Sequence, residues 1–358
     1  MHQISCLCGS VSTKVDSQTS TSDSTIDVSL CHCNDCRHTT GLLCTSYFPI
    51  EKPDLSENLN VFKGSDGSYR HFCSTCGCHI YRSVKGDDGD VTWGVATGVV
   101  TSSDSKSEKV RFTTHTYIED TVDGGASIWL PLDGQQSSSR SNHLTQKSTS
   151  LNACCACGGV ELLITRPNEA SRSPQRGHTD LMYPYCSTDE SITKNPSDEK
   201  WWIQGDKYLA GTCACESCRL ASGFEIQTWA FMPLTNISIL THESPGTGVP
   251  LDFGNLPAGT LKGYQSSRVA VRHFCGVCGA TVFWREISDP SVVDVSVGLL
   301  RADEGARAES WLRWWTERIS FSEEVQTHRS GSFAAAAQSL IDNLSSGLKT
   351  SSLAREDE

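Results

Sequence analysis

The sequence predicts a mainly β protein made of two tandem copies of one cysteine-rich domain. Two observations support this prediction. Cysteine motifs repeat in the same order in both halves, and short runs of β-prone residues, separated by turn residues, surround them. The length of 358 residues alone suggests two or three domains. Strands this short favour antiparallel sheets over parallel βαβ units.

Three cysteine motifs, CxCG, CxCxxCR and FCxxCG, each occur twice. They begin at Cys6, Cys31 and Phe72 in the first half, and at Cys155, Cys213 and Phe274 in the second. A histidine precedes each phenylalanine, which extends the match. An ordered repeat of this kind indicates an internal duplication.

The spacing of the motifs predicts the domain boundaries. We expect a first domain at residues 1–133, a linker at 134–150, a second domain at 151–320 and a mobile tail at 321–358, with a short helix predicted between Phe333 and Leu348. The second copy carries two loop-like insertions, Arg166 to Lys200 and Thr241 to Thr260. We expect these insertions, particularly Thr241 to Thr260, to build a lid or wall over the second copy's site, which would make that copy the substrate-defining one.

The paired cysteines have the spacing of a closed zinc site. Two cysteines two residues apart in a tight turn can direct both sulfurs at one cation, and two such pairs complete a tetrahedron. The predicted sites are Cys6, Cys8, Cys73 and Cys76 in the first copy, and Cys155, Cys157, Cys275 and Cys278 in the second. Such sites contribute directly to folding. The alternative is a pair of redox dithiols.

The CxCxxC motif supplies three thiolates and no fourth. Cys31, Cys33 and Cys36 form one trio, and Cys213, Cys215 and Cys218 form the other. Three protein ligands leave a position for water or substrate, and a zinc ion bound by thiolates suits a soft sulfur ligand there. The sequence therefore predicts four zinc ions per chain, two of them at open sites.

Two further sets of residues flank these trios. Arg37 and Arg219 directly follow them and are candidates for binding an anionic group of the substrate, with an ordinary salt bridge as the alternative. A closed trio, with a fourth ligand such as His38, His71 or His273, is the alternative to an open one. The sequence singles out no general acid or base.

Composition excludes several classes of function. The formal net charge of −12, from 30 basic and 42 acidic residues, argues against a nucleic-acid partner. No run of about 20 apolar residues exists that could span a membrane, and no secretory signal is visible at the start. We expect a protein of a reducing compartment, in the cytoplasm or alternatively the nucleus.

The ordered motif set resembles the glutathione-dependent formaldehyde-activating enzyme family, which includes centromere protein V. This resemblance covers roughly residues 3–135 and 150–320. It implies a Mss4-like β fold, a structural zinc at the paired motifs and a catalytic zinc at each trio. It also implies carbon–sulfur lyase chemistry, which joins or splits a thiol such as glutathione and a carbonyl carbon. The tandem copies, the insertions and Ala214 (in place of His32) depart from a plain member.

Three functions remain open on this basis. The first is a zinc-dependent carbon–sulfur lyase acting on a thiol adduct of a carbonyl compound, with a small-molecule thiol as its partner. The second is a zinc lyase of another type, for instance a decarboxylase of secondary metabolism. The third is a non-catalytic zinc module that carries glutathione or binds a protein. The sequence does not determine the oligomeric state.

Overall fold

A computed structural model describes residues 1–18, 25–103, 109–132, 148–241 and 244–356, and it confirms the mainly β prediction. In the first half the elements are β1 (His2–Ser5), β2 (Ser12–Val15), β3 (Thr25–Cys31), α1 (Asn34–Thr40), β4 (Tyr47–Ile50), β5 (Leu59–Lys63), β6 (Tyr69–Cys73), β7 (His79–Lys85), β8 (Val91–Ala96), β9 (Val100–Ser103) and β10 (Lys109–Thr116). In the second half they are β11 (Ser150–Cys154), β12 (Glu161–Thr165), α2 (Glu190–Thr193), β13 (Ile203–Gln204), β14 (Lys207–Cys213), α3 (Glu216–Ser222), β15 (Gln227–Pro233), β16 (Ile237–Thr241), β17 (Ser244–Pro250), β18 (Leu261–Gln265), β19 (Ala270–Cys275), β20 (Thr281–Glu286), β21 (Val292–Ser296), β22 (Leu312–Trp314) and α4 (Ser332–Glu356).

The two halves share one topology. The first half contains an antiparallel sheet in the order β4-β8-β7-β6-β5, and the second repeats this order as β15-β21-β20-β19-β18. Each half also has one parallel pair, β3 with β10 and β14 with β22, which departs from the purely antiparallel expectation. The parallel pairs place the strand that leads into each trio beside a strand from the far end of the same copy.

Side-chain alternation explains why these segments form strands. In β3, Ile26, Val28 and Leu30 are buried while the residues between them face outward, the period of two expected of a half-buried strand. By contrast, β15 is buried along its whole length because β14 and β21 flank it and both of its faces are covered. The first residue of this strand, Gln227, pairs with Cys213 of the second trio.

The two copies contact each other reciprocally. The amide of Leu7 donates to the carbonyl of Leu220 at 3.0 Å, and the amide of Ala156 donates to the carbonyl of His38 at 2.9 Å. Each CxCG turn therefore hydrogen-bonds to the helix that follows the CxCxxC motif of the other copy, which is α3 or α1.

A second reciprocal contact involves the glycines that end α1 and α3. Gly98 donates to the carbonyl of Gly223 at 3.0 Å, and Gly298 donates to that of Gly41 at 3.1 Å. Gly41 and Gly223 have φ angles of 81° and 85°, and a Cβ on either would lie 2.3 Å from a carbonyl oxygen of the other copy. Both the left-handed backbone and the close approach require glycine at these positions.

One of the second copy's insertions lies elsewhere than predicted. In this insertion β17 pairs with β16, and Thr260 at its end lies beside the four-cysteine cluster of the second copy, with its Oγ1 3.6 Å from the Cys275 sulfur. The Thr260 hydroxyl donates to the carbonyl of Gly159 at 2.6 Å, and its carbonyl accepts from the amide of Gly276. The predicted wall over the second trio is therefore wrong for this segment.

The C-terminal segment contains the predicted helix, but this helix is longer than expected and packs on the first copy. Residues 332–356 form α4, and Phe333, Leu340, Ile341, Leu344 and Leu348 are buried. The ring of Phe333 lies 4.5 Å from that of Phe48, so the helix packs on the first copy. This apolar stripe is the physical reason that the segment is a packed helix over its described residues rather than a tail. Most of the predicted linker, at residues 134–147, lies outside the described residues.

One hydrophobic core runs through both copies and the C-terminal helix. It joins Leu42 and Trp129 of the first half to Leu162 and Val282 of the second, and it includes Leu344 of α4. The two predicted domains therefore share buried surface. The relative position of the metal-binding motifs depends on this shared core.

Candidate metal centres

The paired cysteine motifs come together as predicted. The sulfurs of Cys6, Cys8, Cys73 and Cys76 lie within 4.8 Å of one another, and so do those of Cys155, Cys157, Cys275 and Cys278. Adjacent sulfurs are 3.4 to 3.5 Å apart, as between Cys8 and Cys73 or Cys157 and Cys275. This is far beyond a disulfide bond of about 2.05 Å and near the edge of about 3.8 Å of a zinc–thiolate tetrahedron. The donor set fits a closed zinc site in each copy.

The CxCxxC trios form separate clusters. Cys31, Cys33 and Cys36 have their sulfurs within 4.8 Å of one another, as do Cys213, Cys215 and Cys218. Among the residues that the structure describes, no fourth cysteine, histidine or carboxylate donor lies within that distance of all three sulfurs of either trio. Each trio can therefore hold a metal ion by three protein ligands.

The middle cysteine of each trio begins a short helix. Cys33 is the N-cap of α1, and its sulfur accepts a hydrogen bond of 3.3 Å from the amide of Cys36. Cys215 is the N-cap of α3 and accepts 3.2 Å from the amide of Cys218. Because an N-cap side chain accepts from the first turn, the helix start fixes the spacing of the sulfurs and stabilises negative charge on them.

An arginine contacts the third sulfur of each trio. Arg70, which is fully buried, donates from Nη2 to the sulfur of Cys36 at 3.3 Å. Arg272 donates from both Nη1 and Nη2 to the sulfur of Cys218 at 3.5 Å. Hydrogen bonds from the other two cysteines of the same trio, together with the positive charge of the arginine, hold the pKa of Cys36 and of Cys218 well below the usual range of a thiol. Burial acts in the opposite direction. Sequence analysis missed both arginines, although each directly precedes the repeated HFC of the third motif.

The two arginines that the sequence nominated have other partners. The Arg37 guanidinium donates to Asn34 Oδ1 at 2.5 Å and to the carbonyl of Asp120 at 3.4 Å. That of Arg219 donates to the carbonyl of Gly98, across the contact between the copies, at 2.5 Å. Both side chains are buried, and burial lowers the pKa of each to about 10. Substrate binding by either one stays a prediction.

The histidines considered as fourth ligands also lie elsewhere. His38 contacts the guanidinium of Arg301, and Nε2 of His71 is 3.2 Å from the hydroxyl of Ser83. His273 stacks on Phe253, with ring centroids 4.6 Å apart. The alternative of a trio closed by one of these three histidines has no support in this geometry.

The two trios differ in their exposure. Cys31 and Cys33 are half-buried, whereas Cys213, Cys215 and Cys218 are only 6%, 7% and 4% exposed. An apolar cluster packs against the second trio; it includes Leu181, Trp201, Trp202, Trp229, Phe231, Trp284 and Phe321. Leu181 comes from the insertion Arg166 to Lys200, and the adjacent tryptophans follow it directly. It is this insertion that covers the second trio.

These observations define a class of protein: a tandem, mainly β protein with, in each copy, one four-cysteine and one three-cysteine cluster that could each hold a metal ion. The profile of the glutathione-dependent formaldehyde-activating enzyme family matches residues 1–120 and 200–318. The chain belongs to this family.

A solved structure of a Rhodobacter sphaeroides protein, a structural genomics target, is 18% identical; the match covers 46% of this chain and 98% of that one, with a TM-score of 0.24. No curated protein matches the sequence. Among the described residues, no helix has the length and apolar character needed to cross a membrane.

Proposed function

We propose that this protein is a zinc-dependent carbon–sulfur lyase that acts on the adduct of a thiol, such as glutathione, and a carbonyl compound. The observation that carries the proposal is the pairing, in each copy, of a four-sulfur cluster with a separate three-sulfur cluster. Zinc bound by three thiolates would supply a soft acid that stabilises the substrate sulfur as a thiolate. Family membership supports the same chemistry.

The chain's own residues prepare the trio for this role. Arg70 and the start of α1 offset the negative charge that three thiolates gather at one point. In the first copy, Asp66 accepts from Arg70 at 3.3 Å and from Arg82 at 3.1 Å, and these contacts position the guanidinium of Arg70. The trio is thereby held in a fixed arrangement before any substrate arrives.

We further propose that the first trio is the main reaction site. Its cysteines Cys31 and Cys33 are partly exposed, while the insertion covers the second trio. This reverses the preference for the second copy that its insertions suggested. The same burial favours a structural role for the second trio, which is the second candidate function. The small-molecule thiol partner and a reducing cytoplasmic or nuclear location are part of this proposal.

A direct test combines elemental analysis with zinc-edge X-ray absorption during titration with glutathione. We expect four zinc ions per chain, and a fourth sulfur ligand arriving at the trio sites only. Cys33→Ser is expected to reduce this change, whereas Cys78→Ala, at a buried thiol outside all four clusters, should leave it intact. Four zinc ions already saturated by protein atoms would contradict the proposal.

A further inference from the structure

A turn with unusual backbone geometry borders the first trio. Tyr117 has φ 58° and ψ 40°, in the left-handed region, and it precedes the 3-10 turn Ile118–Thr121. A bulky residue rarely adopts this conformation, and it persists only where neighbouring contacts hold it. The Tyr117 side chain is 58% exposed. Its aromatic ring is thus available to a ligand.

Hydrogen bonds fix this turn to the segment that carries the metal ligands. The residue before it, Thr116, pairs with Cys31, and its carbonyl accepts from the amide of His32 at 2.9 Å. Three residues after Tyr117, the carboxylate of Asp120 accepts from the amide of Asn34 at 3.0 Å. The turn is therefore attached on both sides of Cys33. Tyr117 lies between these two attachments.

The second copy repeats the arrangement. Phe321 has φ 54° and ψ 34° and precedes the 3-10 turn Ser322–Glu324. Ser320 bridges to Cys213 and accepts from the amide of Ala214 at 2.9 Å, and the carboxylate of Glu324 accepts from the amide of Glu216 at 3.3 Å. The sequences of the two turns differ, yet both place an aromatic residue in the left-handed region at the same point. A strained geometry retained in both copies points to a shared role.

The surroundings of the two rings differ in one respect. Phe321 packs with the apolar cluster that includes the trio cysteines Cys213, Cys215 and Cys218. Its amide donates to Asp180 Oδ1 at 2.7 Å, and its ring lies 6.0 Å from that of Tyr185, both in the insertion. The first copy has no corresponding insertion before its trio. Tyr117 therefore occupies the position in the first copy that Phe321 occupies in the second, but it is not packed against an insertion of this kind.

We infer that Tyr117 contacts the carbon portion of the substrate at the first trio and selects thiols that carry a flat or aromatic group there. The inference rests on the proposed function and adds a substrate class to it. Aromatic rings favour stacked or edge-to-face contacts with other π systems, and a tyrosine ring held by a rigid turn offers such a contact at little entropic cost.

Thiol binding to the full-length chain, loaded with cobalt in place of zinc, tests this inference. The readout is the increase in the thiolate-to-cobalt absorption band above that of the protein's own cysteine ligands, during titration with benzyl mercaptan and with 2-mercaptoethanol. We expect wild type to bind benzyl mercaptan about fivefold more tightly than 2-mercaptoethanol. Tyr117→Gly should remove this preference and leave the metal content and melting temperature undiminished, because glycine suits the left-handed backbone. Tyr117→Phe should retain the preference.

The possible failures are distinguishable. If Tyr117→Gly keeps the wild-type preference, Tyr117 does not contact the substrate, and the inference is overturned while the proposed function stands. If no added thiol increases this band even in wild type, the proposed function is overturned and the inference with it. Phe321→Gly is the matched control for the covered trio and is expected to leave the benzyl mercaptan preference unchanged.

Discussion

The guanidinium of Arg70 lies 3.3 Å from the sulfur of Cys36, inside the protein and directly behind the first trio. The same relationship joins Arg272 to Cys218 in the second copy. A buried positive charge beside a metal-binding sulfur favours the thiolate, which is the form that binds metal. These arginines are therefore expected to act on metal affinity through the ligands they contact.

Replacing Arg70 tests this expectation. We expect Arg70→Met to weaken metal binding at the first trio about tenfold, because loss of the positive charge raises the pKa of Cys36. Competition with a chromophoric chelator measures the affinity. Arg82→Met is the matched control, since Arg82 shares the Asp66 carboxylate, whereas it is Arg70 that donates to the trio sulfur. An equal loss in both variants would assign the effect to the Asp66 contacts instead.

The four-cysteine clusters are expected to support folding. Cys76→Ser should remove about one zinc ion per chain and lower the melting temperature of the protein, because a structural zinc contributes binding energy directly to stability. Cys78→Ala is the control: this thiol is also buried, but it lies outside the cluster. Elemental analysis and calorimetry provide the two readouts. A Cys76→Ser protein with wild-type stability would show that this cluster is dispensable for folding.

Acid is expected to destabilise the protein partly through His79. This residue is buried, its Nε2 donates to the carbonyl of Thr39 at 3.0 Å, and burial together with the charge of Arg70 lowers its pKa to about 4. An unfolded histidine has a pKa of about 6.5. The unfolded chain therefore takes up a proton that the folded protein does not, and stability falls as the pH is lowered from about 6.5 to 4.

The size of this effect is about 3 kcal/mol across the window. Urea unfolding at several pH values, with zinc content followed in parallel, measures it. His79→Gln is expected to flatten the dependence by that amount, whereas His328→Gln, at an exposed histidine, should retain it. Equal slopes in wild type and His79→Gln would rule out His79 as the source.

Gly347 in the C-terminal helix is a position where replacing glycine by alanine is expected to destabilise the protein. Gly347 is buried within α4, and a Cβ there would lie 2.1 Å from the carbonyl oxygen of Trp129. Glycine to alanine in a helix interior ordinarily stabilises by about 1 kcal/mol. Here we expect Gly347→Ala to destabilise by about 1–3 kcal/mol, because the helix must move away from the first copy. Thr350→Ala, on the exposed side, is the control in denaturant unfolding; a stabilised Gly347→Ala would show that the helix docks loosely.

Much of the candidate site could be predicted because metal ligation constrains sequence spacing locally. The fourteen cysteines of the repeated motifs fall into the four clusters that CxC and CxxC spacing indicates. Most of the β-prone runs likewise became strands, for example β2, β4 and β12. These are short-range properties, set by residues a few positions apart.

The contacts that depend on long-range packing were not predictable in the same way. Arg70 reaches a sulfur 34 positions away, and only the paired strands reveal that it faces the trio. The sequence does not show which of the two insertions covers the second trio. That distinction depends on how β14, β17 and the neighbouring strands are arranged in the sheets. The repeated arginine before HFC was nevertheless a signal in the sequence that could have been used.

Gly41 and Gly223 each pack against the backbone of the other copy, and this contact has a consequence for the evolution of the protein. Gene duplication usually leaves one copy free to drift while the other keeps its task. Here α1 and α3, the helices that begin at the two trios, each end against the backbone of the opposite half. Substitutions in either half are therefore expected to affect both trios. Selection is expected to act on the pair as one heritable unit, and a descendant that discards one half would have to rebuild the surface it exposes.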